Sequence, residues 1–262
     1  MPYRWVRELG APLLVGVLFV GIWQAICRSA DIPPYVFPAP SDVGASLIAG
    51  APSLLAAWRN TLWVTTEAFC AAVLVGAVCG FVFVQSRTLE RSFFPYIVLL
   101  QVTPVVAVAP LLIILFQNTN VALVLCATLV AVFPIVSNTT LGLRSVDPGL
   151  LDYFRMNKIG RWQTLVRLRV PSALPFFLAG LRISAGLSLI GAVVAEFVAG
   201  TGGQGAGLAY EILQAGYQLD LPRMFAALLL ITVSGLGLFI LMVLLERLLL
   251  GGWHEMNSRP ER

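Results

Sequence analysis

Charged residues are scarce in this sequence. Asp, Glu, Lys and Arg make up 11% of the 262 residues, against about 25% in a typical water-soluble domain. Hydrophobic residues make up 58%, and several windows reach the roughly 20 mostly apolar residues that a membrane-spanning helix needs. The composition excludes a soluble domain and predicts one integral membrane domain over residues 1–262. The net charge of +4 comes from basic residues dispersed in short loops, so we expect no nucleic-acid partner.

Metal-binding and redox residues are equally sparse. The sequence has one histidine, His254, and four cysteines in or at the edge of apolar runs, where small packing residues are common: Cys27, Cys70, Cys79 and Cys126. Neither a disulfide framework nor the ligand spacing of a zinc site is present. We therefore expect no metal site and no cofactor.

Motifs of nucleotide and enzyme chemistry are missing as well. No G-x-x-x-x-G-K-[ST] occurs, so this chain should not bind ATP through a P-loop. Residues 200–205 match G-x-G-x-x-G, but they follow a predicted membrane helix instead of the strand that a dinucleotide-binding unit requires. We interpret them as a flexible turn. Without paired carboxylates or a nucleophile–base motif, an intramembrane enzyme is disfavoured, and we predict no catalytic residues.

Long apolar runs are what the sequence has in abundance, and they predict an all-α membrane fold of about six spans. The predicted spans are residues 9–27, 55–84, 93–116, 121–141, 175–199 and 222–250. The first could be a cleaved signal peptide, but its length favours a retained helix. Pro104 and Pro110 interrupt the third span and release backbone carbonyls, which only protein or a watery cavity can satisfy.

Two shorter features accompany the first spans. Residues 31–40 are Pro-rich and irregular, after which Ser41 is predicted to cap a short amphipathic helix that Pro52 ends. Within the second span, Gly76 and Gly80 have the G-x-x-x-G spacing that allows close helix approach.

A basic stretch, residues 142–174, separates the fourth and fifth spans. It contains only two acidic residues but six basic ones: Arg144, Arg155, Lys158, Arg161, Arg167 and Arg169. Asp147-Pro148 is a helix start, since Asp accepts from free amides and Pro at the first position loses no hydrogen bond. We predict a helix from Pro148 to Asn157, a break near Gly160 and a second helix from Arg161 to Pro171. Leu150, Leu151 and Phe154 share a face of the first helix, which indicates docking against another protein.

The distribution of basic residues predicts the orientation. With both termini, Arg87, Arg91 and the basic stretch in the cytoplasm, thirteen basic residues lie there, and Arg28, Arg59 and Arg223 remain outside. This imbalance agrees with the positive-inside tendency.

Ionisable residues inside the spans are the candidates for a solute pathway, because charge within a membrane is costly. We nominate Glu67 and Glu196 together with Pro104 and Pro110. Glu67 could instead bond to Thr65 or Thr66, Glu196 could be a solvated interfacial carboxylate, and Arg182 could snorkel to the cytoplasmic face. An ion-coupled secondary transporter with Glu67 or Glu196 as proton site is the alternative function, although the two halves show no matched pair of interrupted helices.

The basic stretch resembles the cytoplasmic loop of ABC-importer permeases, whose pattern is Glu-Ala-Ala, three residues, Gly, nine residues, Ile-x-Leu-Pro. Starting at Asp152, Leu168-x-Val170-Pro171 falls on the closing positions without a gap. Tyr153-Phe154 replace the two alanines, and Lys158 stands at the glycine, with Gly160 two residues later. The flanks resemble the nitrate/sulfonate/taurine branch of that family in four segments: Pro38-Ala39-Pro40-Ser41-Asp42-Val43, Phe133-Pro134-Ile135, Gly180-Leu181-Arg182 and Ala195-Glu196.

The resemblance implies a type I ABC importer permease fold, similar to that of the methionine importer, with a cytoplasmic coupling helix. It further implies a bacterial inner-membrane, non-catalytic subunit that works as a homodimer in membrane lipid, with two copies of an ABC ATPase and an external solute-binding protein. Solutes of that branch are nitrate, sulfonates and taurine, or thiamine-precursor pyrimidines and similar vitamins. The residues expected to couple to the ATPase are Asp152, Tyr153, Phe154, Arg155, Lys158, Gly160 and Pro171.

Overall fold

The computed structural model describes the backbone of residues 3–200 and 205–251, and the side chains from residue 10 onward within those ranges. Residues 201–204 of the predicted flexible turn, and His254, lie outside the described residues. Within the described part, the chain forms α-helices and one π-helical turn, Leu165–Arg169, and no strand. The helices are α1 (Tyr3–Ser29), α2 (Pro40–Ala49), α3 (Ala51–Gln85), α4 (Arg87–Val102), α5 (Val105–Phe116), α6 (Thr119–Arg144), α7 (Pro148–Met156), α8 (Arg161–Thr164), α9 (Val170–Ala199), α10 (Leu208–Tyr217) and α11 (Leu221–Leu250).

Five helical segments in the described residues are long and apolar enough to cross a membrane: Gly10–Ser29, Ala51–Gln85, Thr119–Arg144, Arg161–Ala199 and Leu221–Leu250. A sixth crossing is added if α4 and α5 count as one span, because the pair passes the same test but is bent by 99°. The predicted all-α membrane fold with about six spans is confirmed.

The bend between α4 and α5 lies at the first of the two prolines in the predicted third span. Pro104 has no N–H to donate and restricts the residue before it, and Thr103 is accordingly extended, at φ −67° and ψ 124°. Pro110 lies inside α5 without ending it. Of the two predicted interruptions, only Pro104 breaks the helix.

The chain divides into two compact units, and the first comprises Met1–Arg59 and Gly202–Thr232. Its buried core contains Val43, Leu54, Ala57, Leu208, Ala226 and Ala227. The Arg28 guanidinium and the Asp42 carboxylate form an ion pair at 2.8 Å. Helices α3 and α11 each contribute residues to both units, so the single-domain organisation stays a prediction.

The start and end of α2 differ from the sequence prediction. Ala39 is the N-cap, and the Asp42 carboxylate accepts a hydrogen bond from its backbone N–H at 3.2 Å. The Ser41 hydroxyl instead accepts from Arg28 at 2.8 Å, so Ser41 does not cap the helix. Pro52 does not end α2 either. It lies in the first turn of α3, where a missing N–H costs no helical bond.

The second unit, Asn60–Thr201 and Val233–Arg262, is built on the packing of α6 against α9. The Ser184 hydroxyl on α9 donates to the Ala131 carbonyl on α6 at 2.7 Å. At Gly191 the helices approach so closely that an added Cβ would lie 2.8 Å from the Ala127 Cα. A Cβ on Gly76 of α3 would likewise lie 2.6 Å from the Ile135 Cγ2 of α6. The first glycine of the G-x-x-x-G spacing therefore lies at a close contact between α3 and α6.

The polypeptide runs helically from Arg161 to Ala199, so the predicted helix end at Pro171 is wrong, whereas the start of the fifth span at residue 175 stays a prediction. Pro171 has no N–H, and its ring crowds the carbonyl four residues earlier. The π-helical turn Leu165–Arg169 precedes it, and the Val170 N–H bonds to the Leu165 carbonyl with the wider spacing of a π-helix. This local widening accommodates the proline without a break.

Candidate functional site

The basic stretch contains α7, whose N-terminus has the predicted cap. The Asp147 carboxylate accepts from the N–H groups of Gly149, at 2.7 Å, and Leu150, at 3.2 Å. Pro148 occupies the first helical position. The predicted helix start is confirmed, and α7 ends at Met156, one residue earlier than predicted, with Asn157 as its C-cap.

The hydrophobic side chains of α7 divide between an exposed and a half-buried set. Leu150, Tyr153 and Met156, each three residues apart, are 49%, 57% and 76% exposed. Phe154 is half-buried, and its ring packs edge-on against that of Tyr153 with centroids 6.4 Å apart. Tyr153 is therefore the aromatic residue of α7 that a partner can reach most easily.

Two charged candidates on α7 are paired with each other. The Arg155 guanidinium donates to the Asp152 carboxylate at 3.1 Å, and both side chains are largely exposed. An exposed pair one helical turn apart stabilises a helix by only about 0.3–0.5 kcal/mol. Both groups therefore remain available for charged groups of a partner.

Lys158, the residue after the Asn157 C-cap, adopts a left-handed conformation with φ 54°. The Lys158 N–H bonds to the Arg155 carbonyl at 2.9 Å, and the Ile159 N–H bonds to the Phe154 carbonyl at 3.0 Å. These two bonds form a Schellman motif, in which the left-handed residue is usually glycine. The position where the family pattern has glycine is thus the position whose backbone favours glycine.

Gly160 does not have this role. It is the N-cap of α8 with φ −64°, and a Cβ added there meets no atom within 4 Å. The other candidate of the second helical part, Pro171, lies in the first turn of α9. Both lie in the backbone that follows α7 and outside α7 itself.

An ion pair connects the start of the basic stretch to the preceding helices. Arg144, the last residue of α6, pairs with Glu90 in the first turn of α4. Its guanidinium also donates to the Phe83 carbonyl of α3 at 3.5 Å. The end of α6 is thereby tied to α3 and α4 at the point where the chain enters α7.

The candidate pathway carboxylate Glu67 is half-buried on α3 and bonds to a neighbouring helix. Its Oε2 accepts from the Asn120 Nδ2 of α6 at 3.1 Å. Thr65 and Thr66, the partners considered from the sequence, instead donate to backbone carbonyls one turn earlier on α3. That expectation is wrong because a threonine hydroxyl in a helix reaches the carbonyl four residues back.

The second candidate carboxylate, Glu196 on α9, is 5% exposed and accepts from the Thr61 hydroxyl of α3 at 3.0 Å. A solvated interfacial carboxylate is therefore the wrong interpretation. Arg182, which was expected to snorkel, has a partner within the protein: its guanidinium donates to the Glu246 carboxylate of α11 at 3.0 Å. Pro104 and Pro110, also nominated for the pathway, are exposed on α5 and its N-cap.

Sequence reasoning missed Thr61, Asn120 and Glu246. Each is a polar residue in or beside an apolar span, and that isolation was the available signal. In residues 3–200 and 205–251, no group of three His, Cys, Asp or Glu residues could hold a metal ion.

Comparison with known proteins identifies a family match and full-length relatives. The family model described as "Binding-protein-dependent transport system inner membrane component" matches residues 72–251. A "Probable ABC transporter permease protein" of Haemophilus influenzae is 34% identical, and the alignment spans 89% of this chain and 94% of that protein. The riboflavin transport system permease protein RibX of Chloroflexus aurantiacus is 35% identical, and the alignment spans 94% of this chain and 91% of RibX. The formylaminopyrimidine transport permease protein ThiX of Halalkalibacterium halodurans is 30% identical, and the alignment spans 91% of this chain and 94% of ThiX.

Solved structures share the fold at lower sequence identity. An inward-facing structure of the MetNI methionine ABC transporter matches with a TM-score of 0.64 and 17% identity, covering 74% of this chain and 94% of the matched chain. An amino acid ABC transporter crystallised with histidines matches with a TM-score of 0.64 and 20% identity, covering 78% of this chain and 97% of the matched chain. At these identities the matches establish the fold, which is that of type I ABC importer permeases.

Proposed function

The chain belongs to the binding-protein-dependent transport system inner membrane components, and from this premise we propose that it forms the translocation pathway of an ATP-driven importer. It is a permease component of ABC transport, an inner-membrane protein with several apolar helices. We assign ATP hydrolysis to a separate ATPase subunit in two copies, and solute capture to an external binding protein. The chain itself carries no chemistry in this assignment, and two copies of it form the pathway.

One observation carries the coupling proposal: α7 exposes Leu150, Tyr153 and Met156 on a nine-residue helix between two membrane helices. Exposed apolar side chains on a short polar-flanked helix are typical of a protein interface. Aromatic residues are favoured anchors of such interfaces. The exposed Asp152–Arg155 pair supplies charges at the rim. These features support α7 as the helix that the ATPase grips.

The packing beside α7 supports a mechanism of alternating access. The chain enters α7 from α6, whose end is tied to α4 by the Arg144–Glu90 pair, and leaves it into the helix that continues to Ala199. Displacement of α7 by closure of the ATPase pair therefore moves α6 and α9 as packed bodies. We place α7 and both termini in the cytoplasm, with α4 and α5 together forming one crossing.

Family membership argues against the ion-coupled carrier that the sequence left open. Both candidate carboxylates have hydrogen-bond partners on neighbouring helices, Glu67 with Asn120 and Glu196 with Thr61. Interhelical bonds of this kind contribute to the packing of membrane helices. No observation here specifically favours proton coupling, so Glu67 and Glu196 stay candidates for the wall of the solute pathway.

The solute is a small polar molecule of one of two classes, small anions of the nitrate, sulfonate and taurine type or nitrogen heterocycles. Relatives named for riboflavin and formylaminopyrimidine transport cover more than nine-tenths of this chain at 35% and 30% identity, which favours the heterocycles. Ligand binding by the solute-binding protein encoded alongside tests this choice. Affinity for nitrate or taurine, and none for pyrimidines or flavins, would reverse it.

The coupling proposal is tested by Tyr153→Asp in the assembled transporter. A charge at an aromatic interface anchor typically costs 2 kcal/mol or more of binding free energy, so we expect the ATPase to bind about 30-fold more weakly or not at all. Tyr217→Asp is the matched control, because Tyr217 is 87% exposed on α10 and lies outside the basic stretch. Co-purification of the ATPase and solute-dependent ATP hydrolysis are the measurements.

The control variant should retain the ATPase while Tyr153→Asp loses it, with equal amounts of both in the membrane. Full ATPase recovery and transport with Tyr153→Asp would remove α7 from the interface. Tyr153 is a cleaner probe than Phe154, because Phe154 is half-buried and a charge there would also disturb packing within the chain.

A further inference from the structure

A basic cavity of about 580 Å³ lies beside α7 in the second unit. Four arginines line it, Arg87 from the start of α4, Arg155 from α7, and Arg161 and Arg169 from the helical segment that follows. The other lining residues include Gln85 and Thr164 but no acid. We refer to it as the four-arginine cavity.

Positive charge in the four-arginine cavity is poorly compensated. Arg155 pairs with Asp152, but Arg87, Arg161 and Arg169 have no acidic partner among the described residues. Like charges at short range repel, and three uncompensated guanidinium groups around one cavity favour an anion between them.

The chemistry of the lining selects the kind of anion. Guanidinium groups donate in a planar fork that matches the oxygens of a phosphate, and several of them suit a multiply charged group better than a single carboxylate. The volume of the cavity falls within the roughly 300–1,000 Å³ of small-molecule sites. Arg155 also belongs to the proposed ATPase interface, but neither that interface nor the solute pathway accounts for Arg87, Arg161 and Arg169.

We propose that the four-arginine cavity binds a phosphate group, carried either by the headgroup of an anionic lipid or by a soluble phosphate compound. The position favours access from the lipid side, since Gln85 ends the membrane helix α3 and Trp162, 73% exposed, is next to Arg161. Tryptophan at this place is typical of the headgroup region, and basic pockets at helix ends bind anionic headgroups. Only the consequence for coupling depends on the proposed function: a bound phosphate neutralises the charge behind α7 and holds the helix in place.

The test compares two charge-matched double variants of the full chain, purified without any ATPase. Arg87→Gln/Arg161→Gln removes two arginines from the cavity, whereas Arg91→Gln/Arg167→Gln removes two exposed arginines that do not line it. All four side chains are exposed, so both variants should fold, which size-exclusion chromatography and thermal unfolding verify. Native mass spectrometry then measures binding of phosphatidylglycerol, with phosphatidylcholine of the same acyl chains as the uncharged reference, and a separate titration measures binding of pyrophosphate.

We expect the parent chain and the control variant to bind phosphatidylglycerol or pyrophosphate with equal affinity, and the cavity variant to bind about tenfold or more weakly. A loss confined to phosphatidylglycerol identifies a lipid headgroup, and a loss confined to pyrophosphate identifies a soluble phosphate compound. Equal binding by the two variants overturns the proposal. Absence of binding by the parent chain also overturns it, and would assign the cavity to an acidic segment of a partner protein. None of these results depends on transport, so they are separate from the test of Tyr153.

Discussion

Two of the three glycines in helix α9, Gly186 and Gly191, allow a direct test of close helix packing. At Gly191 an added Cβ would lie 2.8 Å from the Ala127 Cα and 3.3 Å from the Ala127 carbonyl oxygen, both on α6. At Gly186, five residues earlier on the same helix, an added Cβ meets no atom within 4 Å. Gly191→Ala and Gly186→Ala therefore make the same chemical change, with and without a neighbouring backbone in the way.

The magnitude follows from two opposing terms. Replacing Gly by Ala inside a helix stabilises it by about 1 kcal/mol, and both variants gain this. Overpacking against atoms that cannot rotate away costs about 1–3 kcal/mol, and only Gly191→Ala incurs this cost because the obstructing atoms belong to the α6 backbone. The propensity gain cancels in the comparison, so Gly191→Ala should be about 1–3 kcal/mol less stable than Gly186→Ala.

Thermal unfolding of the purified protein in detergent measures the difference. For a chain of this size, 1 kcal/mol corresponds to about 2–4 °C, so Gly191→Ala should unfold several degrees below Gly186→Ala. Gly186→Ala should match or exceed the parent. Equal unfolding temperatures for the two variants would refute the close approach of α6 and α9, and with it the mechanism in which these helices move together.

Two further predictions concern α7. Lys158→Gly removes the strain of a left-handed lysine, which costs roughly 1 kcal/mol, so hydrogen exchange in α7 should slow, whereas Lys158→Val should speed it; the reverse order would contradict the Schellman motif described after α7. Asp147→Ala removes the N-cap and should destabilise α7 by about 1 kcal/mol, with Asp147→Asn nearly unaffected because an amide oxygen can still accept from Gly149 and Leu150; equal hydrogen-exchange rates for the two Asp147 variants would show that the cap contributes nothing.

Local rules predicted the elements whose causes lie close together in sequence. Asp147 and Pro148 specify a helix start within two residues, and the structure has the start there. The spacing of Gly76 and Gly80 predicts a close contact on α3, since both glycines lie one above the other on a helix. The apolar runs likewise predicted the membrane helices, because length and composition alone decide whether a segment can cross a bilayer.

Features that depend on distant residues were not predictable in this way. Glu67 bonds to Asn120, 53 residues away, and a single sequence contains no signal that pairs them. The four-arginine cavity brings together Arg87 and Arg169, which are separated in sequence by the membrane helices up to α6. In the sequence alone its residues therefore look like unrelated loop charges. The helix end predicted at Pro171 was wrong for a related reason. Proline usually ends a helix locally, but here a π-helical turn before it accommodates the missing hydrogen bond and the helix continues.

The uninterrupted helical path from Arg161 to Ala199 has a mechanical consequence. Its 39 residues extend for about 58 Å at the rise of an α-helix, so the path would act as a lever arm if it tilts as one body. A rotation of roughly 10° at the Arg161 end would displace the Glu196 end by roughly 10 Å, because displacement grows with the length of a rigid rod. A break at Pro171 would let the two parts of this path turn independently, whereas the π-helical turn keeps the chain helical past the proline.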